Sequence, residues 1–89
     1  MQQQTVLIIN KLGLHARASA KLVNLAGRYQ SHIELKRNNK TVNGKSIMGV
    51  MMLAAAKGSE LELCIDGEDE NDAMTALLAL IANKFGEEE

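Results

Sequence analysis

The chain has no proline and no tryptophan, and only one cysteine, one tyrosine and one phenylalanine. Each scarcity excludes something. Without proline or a low-complexity run, nothing in the composition marks a linker between separate parts. A lone Cys64 forms no internal disulfide and fits a reducing compartment. Two histidines and one cysteine, widely spaced, do not make a zinc-ligand pattern, so no metal or other cofactor is expected. Two aromatic residues offer no platform for base stacking, and a net charge of −1 sets up no field toward nucleic acid or an anionic membrane. An RNA-binding α+β module is therefore disfavoured, and a salt-sensitive gel shift would be needed to revive it. No apolar run approaches the ~20 residues that span a bilayer. The opening MQQQTV lacks the basic start and apolar core of a secretory signal. The expectation is a cytoplasmic monomer with neither membrane insertion nor a nucleic-acid partner.

What is present suits one domain over residues 1–89, a length that buries roughly 60–65% of its unfolded surface. Thr5 to Ile9 is a short β-branched run that reads as a buried strand. Beyond a bend at Asn10 to Leu14, the residues Ala18, Leu22, Leu25, Ala26 and Tyr29 share one helical face, and that helix should end between Gly27 and Gln30. Ile33 and Leu35 alternate with polar neighbours as in a half-buried strand. Asn38-Asn39 turns the chain and Lys40 to Asn43 returns it. From Ser46, the spacing of Ile47, Val50, Met51 and Ala54 predicts a short helix ended by Lys57-Gly58, with Ile47, Val50 and Ala54 inward. Leu61, Leu63 and Ile65 alternate with Glu60, Glu62 and Cys64, which places Cys64, like His32, in the polar phase of its strand, where both read as structural or solvent-facing.

Asp69 to Asp72 supplies acid for a helix start. Met74, Leu77, Leu78, Ile81 and Phe85 form the stripe of that last helix, Gly86 is its C′ residue, and Glu87 to Glu89 is a solvated tail. The order is βαββαβα. It predicts an α+β, two-layer open-faced sandwich in which a four-stranded antiparallel sheet carries three helices on one face.

The chemistry concentrates in NKLGLHARASA, residues 10–20. His15 falls at the start of a helix, where the first N–H groups lack partners and partial positive charge attracts anions. An imidazole there is either an ordinary first-turn residue or a nucleophile for a phosphoryl group, with Arg17 as a bidentate cation beside it. Gly13 allows close backbone approach. Ser46 is an N-cap, a regulatory phosphorylation site, or both, because phosphate suits a helix N-terminus. Met48 and Met51, with Ile47, are either core or a small exposed patch whose flexible side chains suit several partners. The run GKS at 44–46 is no P-loop, since that pattern needs glycine where Asn39 stands.

The stretch GLHARAS, together with NGKSIMGVMMLAAAKG at 43–58, resembles the two signatures of the HPr family, the histidine-containing phosphocarriers of the bacterial phosphoenolpyruvate phosphotransferase system. The resemblance covers nearly the whole chain. It implies a phosphoryl carrier and not an autonomous enzyme: His15 takes the group at Nδ1 from Enzyme I and gives it to Enzyme IIA proteins, with Arg17 positioning the phosphate. It further implies Ser46 as the target of an HPr kinase/phosphorylase, and a docking surface around the first two helix starts that includes Ala16, Ala20, Ile47, Met48 and Met51. Ala18 stands where many members have proline, with little expected loss because proline is favoured, not required, in a first turn. Two readings stay beside the sugar-transport carrier. One is a regulatory carrier of the nitrogen-related branch, and the other is a binding module that works without phosphoryl turnover.

Overall fold

A computed structural model describes residues 1–89. The strands are β1 (Gln2–Leu7), β2 (His32–Arg37), β3 (Lys40–Asn43) and β4 (Glu60–Asp66). The helices are α1 (Ala16–Ala26), α2 (Ile47–Met52) and α3 (Glu70–Ala82), and a single tight turn, Lys84–Gly86, follows α3. The four strands form one antiparallel sheet in the order β1-β4-β2-β3. This is the expected open-faced α+β sandwich. Register explains which face is apolar: Val6 stands opposite Leu61, Leu35 opposite Leu63, and Ile33 opposite Ile65. Those side chains meet Leu22, Val50, Leu53, Leu77 and Phe85 in one core. Each fully buried aliphatic or aromatic side chain contributes about 1.5–3 kcal/mol relative to exposure.

Several expectations are corrected by packing. β1 begins at Gln2, ahead of the apolar run, because β4 supplies ladder partners to Gln2, Gln3 and Gln4 whatever their side chains. Pairing still reaches Ile8, whose N–H donates to the Ser59 carbonyl. α2 stops at Met52, well before Lys57-Gly58, and Ala54 takes a positive φ of 51°. Its inward residues are Val50 and the following Leu53 and Ala55, whereas Ile47 and Ala54 are exposed.

Cys64 does lie in the outer phase of β4, yet it is only 2% exposed. β4 is an interior strand, and Gln3 on one side and Glu34 on the other stand directly opposite the cysteine. Gln3 donates to Sγ at 3.7 Å, and the thiol donates to Glu62 Oε1 at 3.5 Å. Burial, followed by the Glu62 carboxylate, pushes the thiol pKa up. His32 is exposed, with Nε2 3.1 Å from Glu34.

Asp69 precedes α3 without capping it. Its carboxylate instead accepts from the Gln30 and Ser31 N–H groups and from the Ser31 hydroxyl, which ties the α1–β2 connection to α3.

Candidate functional site

The bend before α1 depends on Gly13. Its φ is +65°, and a Cβ there would lie 2.4 Å from the Ala55 carbonyl oxygen. That close approach lets Leu14 N–H donate to the same carbonyl at 2.8 Å. Ser19, fully buried, donates its hydroxyl to the Leu14 carbonyl at 3.1 Å and fixes the bend from the other side. His15 follows in extended conformation (φ −75°, ψ −179°) as the N-cap of α1, and its carbonyl accepts the first helical bond, from Ser19 N–H. Its side chain makes no cap hydrogen bond. The N–H groups of Ala16, Arg17 and Ala18 therefore have no acceptor inside the helix, and of these residues Ala16 and Arg17 are exposed while Ala18 is buried. For the same reason the Ala18 N–H has no helical bond that a proline would remove.

The His15 ring is engaged elsewhere. Its Nε2 lies 2.5 Å from Glu87 Oε2, with the two side chains 28% and 15% exposed. The expectation of a solvated tail fails at Glu87, while Glu88 and Glu89 are exposed. The other carboxylate oxygen, Oε1, accepts from Asn10 Nδ2 at 2.9 Å. Asn10 is fully buried, and its second amide hydrogen goes to the Gly13 carbonyl at 2.8 Å. With Nδ2 committed to two acceptors, Asn10 Oδ1 is left buried without a protein partner. Such a group costs about 1–3 kcal/mol, a sacrifice typical of sites that serve something besides stability. The Asn10 amide, and after it the His15 ring, hold the Glu87 carboxyl below the usual carboxylate range.

The tail reaches His15 through a left-handed turn. α3 ends at Ala82, and Lys84, Phe85 and Gly86 have φ values of 55°, 56° and 78°. Phe85 is thus not on the helical stripe, and Gly86 is not the C′ residue of α3. The left-handed conformation costs roughly 1–2 kcal/mol at each non-glycine residue. Complete burial of Phe85 offsets it, and Lys21 Nζ donates to the Phe85 carbonyl at 2.7 Å. A further tie joins Lys11 to Glu89: the backbone N–H of Lys11 donates to the Glu89 carbonyl, and Lys11 Nζ stands 3.3 Å from the Glu89 carboxylate.

These residues line an open depression of about 890 Å³, in which Lys11, Arg17 and Lys21 face His15 and Glu87. Arg17 is exposed at its rim. Glu88 and Glu89 line it too, and with Lys11 held by Glu89 and Lys21 by the Phe85 carbonyl, it is Arg17 and the N–H groups of the first turn that give this end of α1 the means to hold an anion near a nucleophilic ring.

Ser46 is the N-cap of α2, and its Oγ accepts from Gly49 N–H at 3.1 Å. The other end of α2 is closed by cations, with Arg37 Nη1 3.0 Å from the Leu53 carbonyl and Lys40 Nζ 3.4 Å from that of Met52. The two helix starts do not come together. Lys45 Nζ donates to the carbonyl of Tyr29, beyond the far end of α1, whereas the start of α1 meets Ala55, beyond the end of α2. The helices run in opposite senses, so His15 and Ser46 sit at opposite ends of the pair. Between them lie exposed Ile47, Met48 (69%), Met51 and Met52, together with exposed Ala16 and half-buried Ala20.

Asn10, Lys21 and Glu87 are the site residues that periodicity does not reveal. Only Asn10 carries a local signal, as a turn-prone residue beside Gly13. Glu87 is separated from His15 by 72 positions.

The family model described as "PTS HPr component phosphorylation site" matches residues 2–83. A phosphocarrier protein HPr of Cupriavidus necator is 63% identical over 89 residues, covering all of both chains. A crystal structure of HPr from Thermoanaerobacter tengcongensis superposes with a TM-score of 0.96 at 46% identity, again over all of both chains. A structure of an HPr dimer from the same organism gives 0.79 at 46% identity, over 98% of this chain and 100% of that one. With a family model matching nearly the whole chain, full-length relatives of this name and a full-length structural superposition, the chain belongs to the HPr family, the phosphocarriers of the phosphotransferase system.

Proposed function

We propose that His15 accepts a phosphoryl group at Nδ1 from Enzyme I and passes it to Enzyme IIA proteins. In this reading residues 1–89 work as one cytoplasmic, monomeric carrier domain. The observation that carries it is the uncapped start of α1: His15 is its N-cap residue, the exposed Ala16 and Arg17 that follow have N–H groups without helical acceptors, and Lys11, Arg17 and Lys21 line the same depression. Arg17, exposed at the rim, positions the phosphate by bidentate contact. The partner enzymes supply in-line geometry and exclude water, and the carrier supplies the nucleophile and the anion cradle. The exposed surface of Ala16, Ala20, Ile47, Met48 and Met51 docks those partners transiently. Ser46 adds regulation. Phosphorylation by an HPr kinase would place a dianion at the start of α2, next to this surface, and weaken docking of partners that recognise the unmodified form.

Incubation with phosphoenolpyruvate, Mg²⁺ and Enzyme I should add one acid-labile phosphoryl group. No mass gain would leave a binding module without turnover as the better description. Size-exclusion chromatography with light scattering at working concentration should give the mass of one chain.

A further inference from the structure

We infer that Glu87 is a positioning residue for His15: its carboxylate fixes the ring as the Nε2–H tautomer and thereby leaves the lone pair on Nδ1. An ionised carboxylate only accepts hydrogen bonds, so at 2.5 Å the hydrogen must belong to the ring nitrogen. The two ring nitrogens point away from each other. Holding Nε2 toward the tail therefore turns Nδ1 away from it.

The carboxylate is itself held at both oxygens, by His15 on one and by Asn10 Nδ2 on the other, and Asn10 is anchored on the Gly13 carbonyl within the bend that starts α1. The left-handed turn at Lys84 to Gly86, buried at Phe85 and tied by Lys21, sets where the tail returns. The result is a relay from backbone to amide to carboxylate to imidazole. It has the logic by which a buried carboxylate orients a histidine in hydrolases.

A second role rests on the phosphoryl-transfer reading of His15. As the Nδ1 lone pair forms the nitrogen–phosphorus bond, the bond from phosphorus to the donor breaks and its electron pair stays on the donor. Nδ1 carries no proton to lose, so the ring becomes a phosphorylated imidazolium that keeps its Nε2–H. Glu87 faces that charge directly and balances it. When the phosphoryl group leaves for an acceptor, the electron pair returns to Nδ1 and the neutral Nε2–H ring is restored.

Long-range ¹H–¹⁵N correlation NMR of the full chain, at a pH where the imidazole is neutral, reads the tautomer without any partner. The wild type should show the Nε2–H form. Glu87→Ala should add a substantial Nδ1–H population, and Glu87→Gln, whose amide oxygen still accepts, should keep Nε2–H. A wild-type ring in the Nδ1–H form, or an unchanged tautomer in Glu87→Ala, overturns the inference. Quenched-flow phosphorylation by Enzyme I then reads the second role. Glu87→Ala should slow uptake about tenfold and Glu87→Gln by less, with the apparent KM for the carrier unchanged. A rate within twofold of wild type in both variants overturns the charge-balancing role. Failure of the wild type to take up phosphate at all would sink the phosphoryl-transfer reading, while the tautomer measurement still decides the positioning one.

Discussion

The starts of α1 and α2 are built from the same backbone, and each has a polar side chain at its N-cap, yet they do opposite things with it. At α2, Ser46 turns its oxygen inward and takes the Gly49 N–H. At α1, His15 points away toward Glu87, and the first N–H groups are left open. A closed helix start gains about 1 kcal/mol from its cap. An open one forgoes that and keeps donors and partial positive charge for a ligand. The difference teaches where to look for anion chemistry: at the terminus whose cap residue does not cap, with cations around it. The same contrast shows what modification of Ser46 entails, because the oxygen that would carry a phosphate already serves as the cap.

The sharpest way to break the contrast is to remove the ring at the open end. His15→Ala should abolish phosphoryl uptake and leave the circular dichroism spectrum unchanged, since the side chain caps nothing. Residual acid-labile phosphate in that variant would put the acceptor elsewhere. Arg17→Ala comes next and should slow transfer by more than about tenfold, because a charge-assisted contact to phosphate is worth roughly 1.5–3 kcal/mol. An unchanged rate would remove Arg17 from the mechanism. Gly13→Ala tests how the open end is held. The added Cβ meets the Ala55 carbonyl at 2.4 Å in a left-handed backbone, so unfolding in urea should shift by about 1–3 kcal/mol. A variant as stable as wild type would mean that the α1 bend relaxes freely.

Much of this architecture was legible in the chain because its signals are local. Period-2 alternation at Ile33, Leu35, Leu61, Leu63 and Ile65 marks the inner face of the sheet, and glycine before a helical pattern places His15 at a helix start. Long-range effects were not legible. Cys64 has the phase of an exposed residue, and only the neighbouring strands that flank β4 reveal that Gln3 and Glu34 cover it. Three consecutive glutamates read as a solvated tail, and nothing in their sequence shows that a left-handed turn folds Glu87 back onto the histidine. The antiparallel sense of α1 and α2 is likewise a tertiary fact, and it separates two motifs that look adjacent in function.

Closing the comparison from the other side requires changing only the cap. Ser46→Ala should lower stability by about 1 kcal/mol, with the Gly49 N–H left unpaired. Uptake of phosphate at His15 should stay within twofold of wild type, because the two residues lie at opposite ends of the helix pair. A large loss of transfer in this variant would show that the two ends are coupled.

The smallest effect separates the ends by pH. Glu87 is held below its ordinary value in the folded chain, by Asn10 first and His15 second, whereas the unfolded chain protonates it normally. On acidification the unfolded state therefore binds this proton first. The stability that Glu87 contributes is complete above about pH 5 and is lost as pH falls through its folded value. Asp69, lowered mainly by the Ser31 hydroxyl, contributes with the same sign. Ser46 does not titrate. Amide exchange should accordingly rise below about pH 5 around Asn10 to Leu14 and the tail while the α2 cap at Gly49 is unaffected, once the intrinsic pH dependence of exchange is divided out. In Glu87→Gln the slope of stability against pH in that range should be shallower. An identical slope would show that the carboxylate contributes nothing to holding the open end of α1, leaving Asn10 and Gly13 to hold it alone.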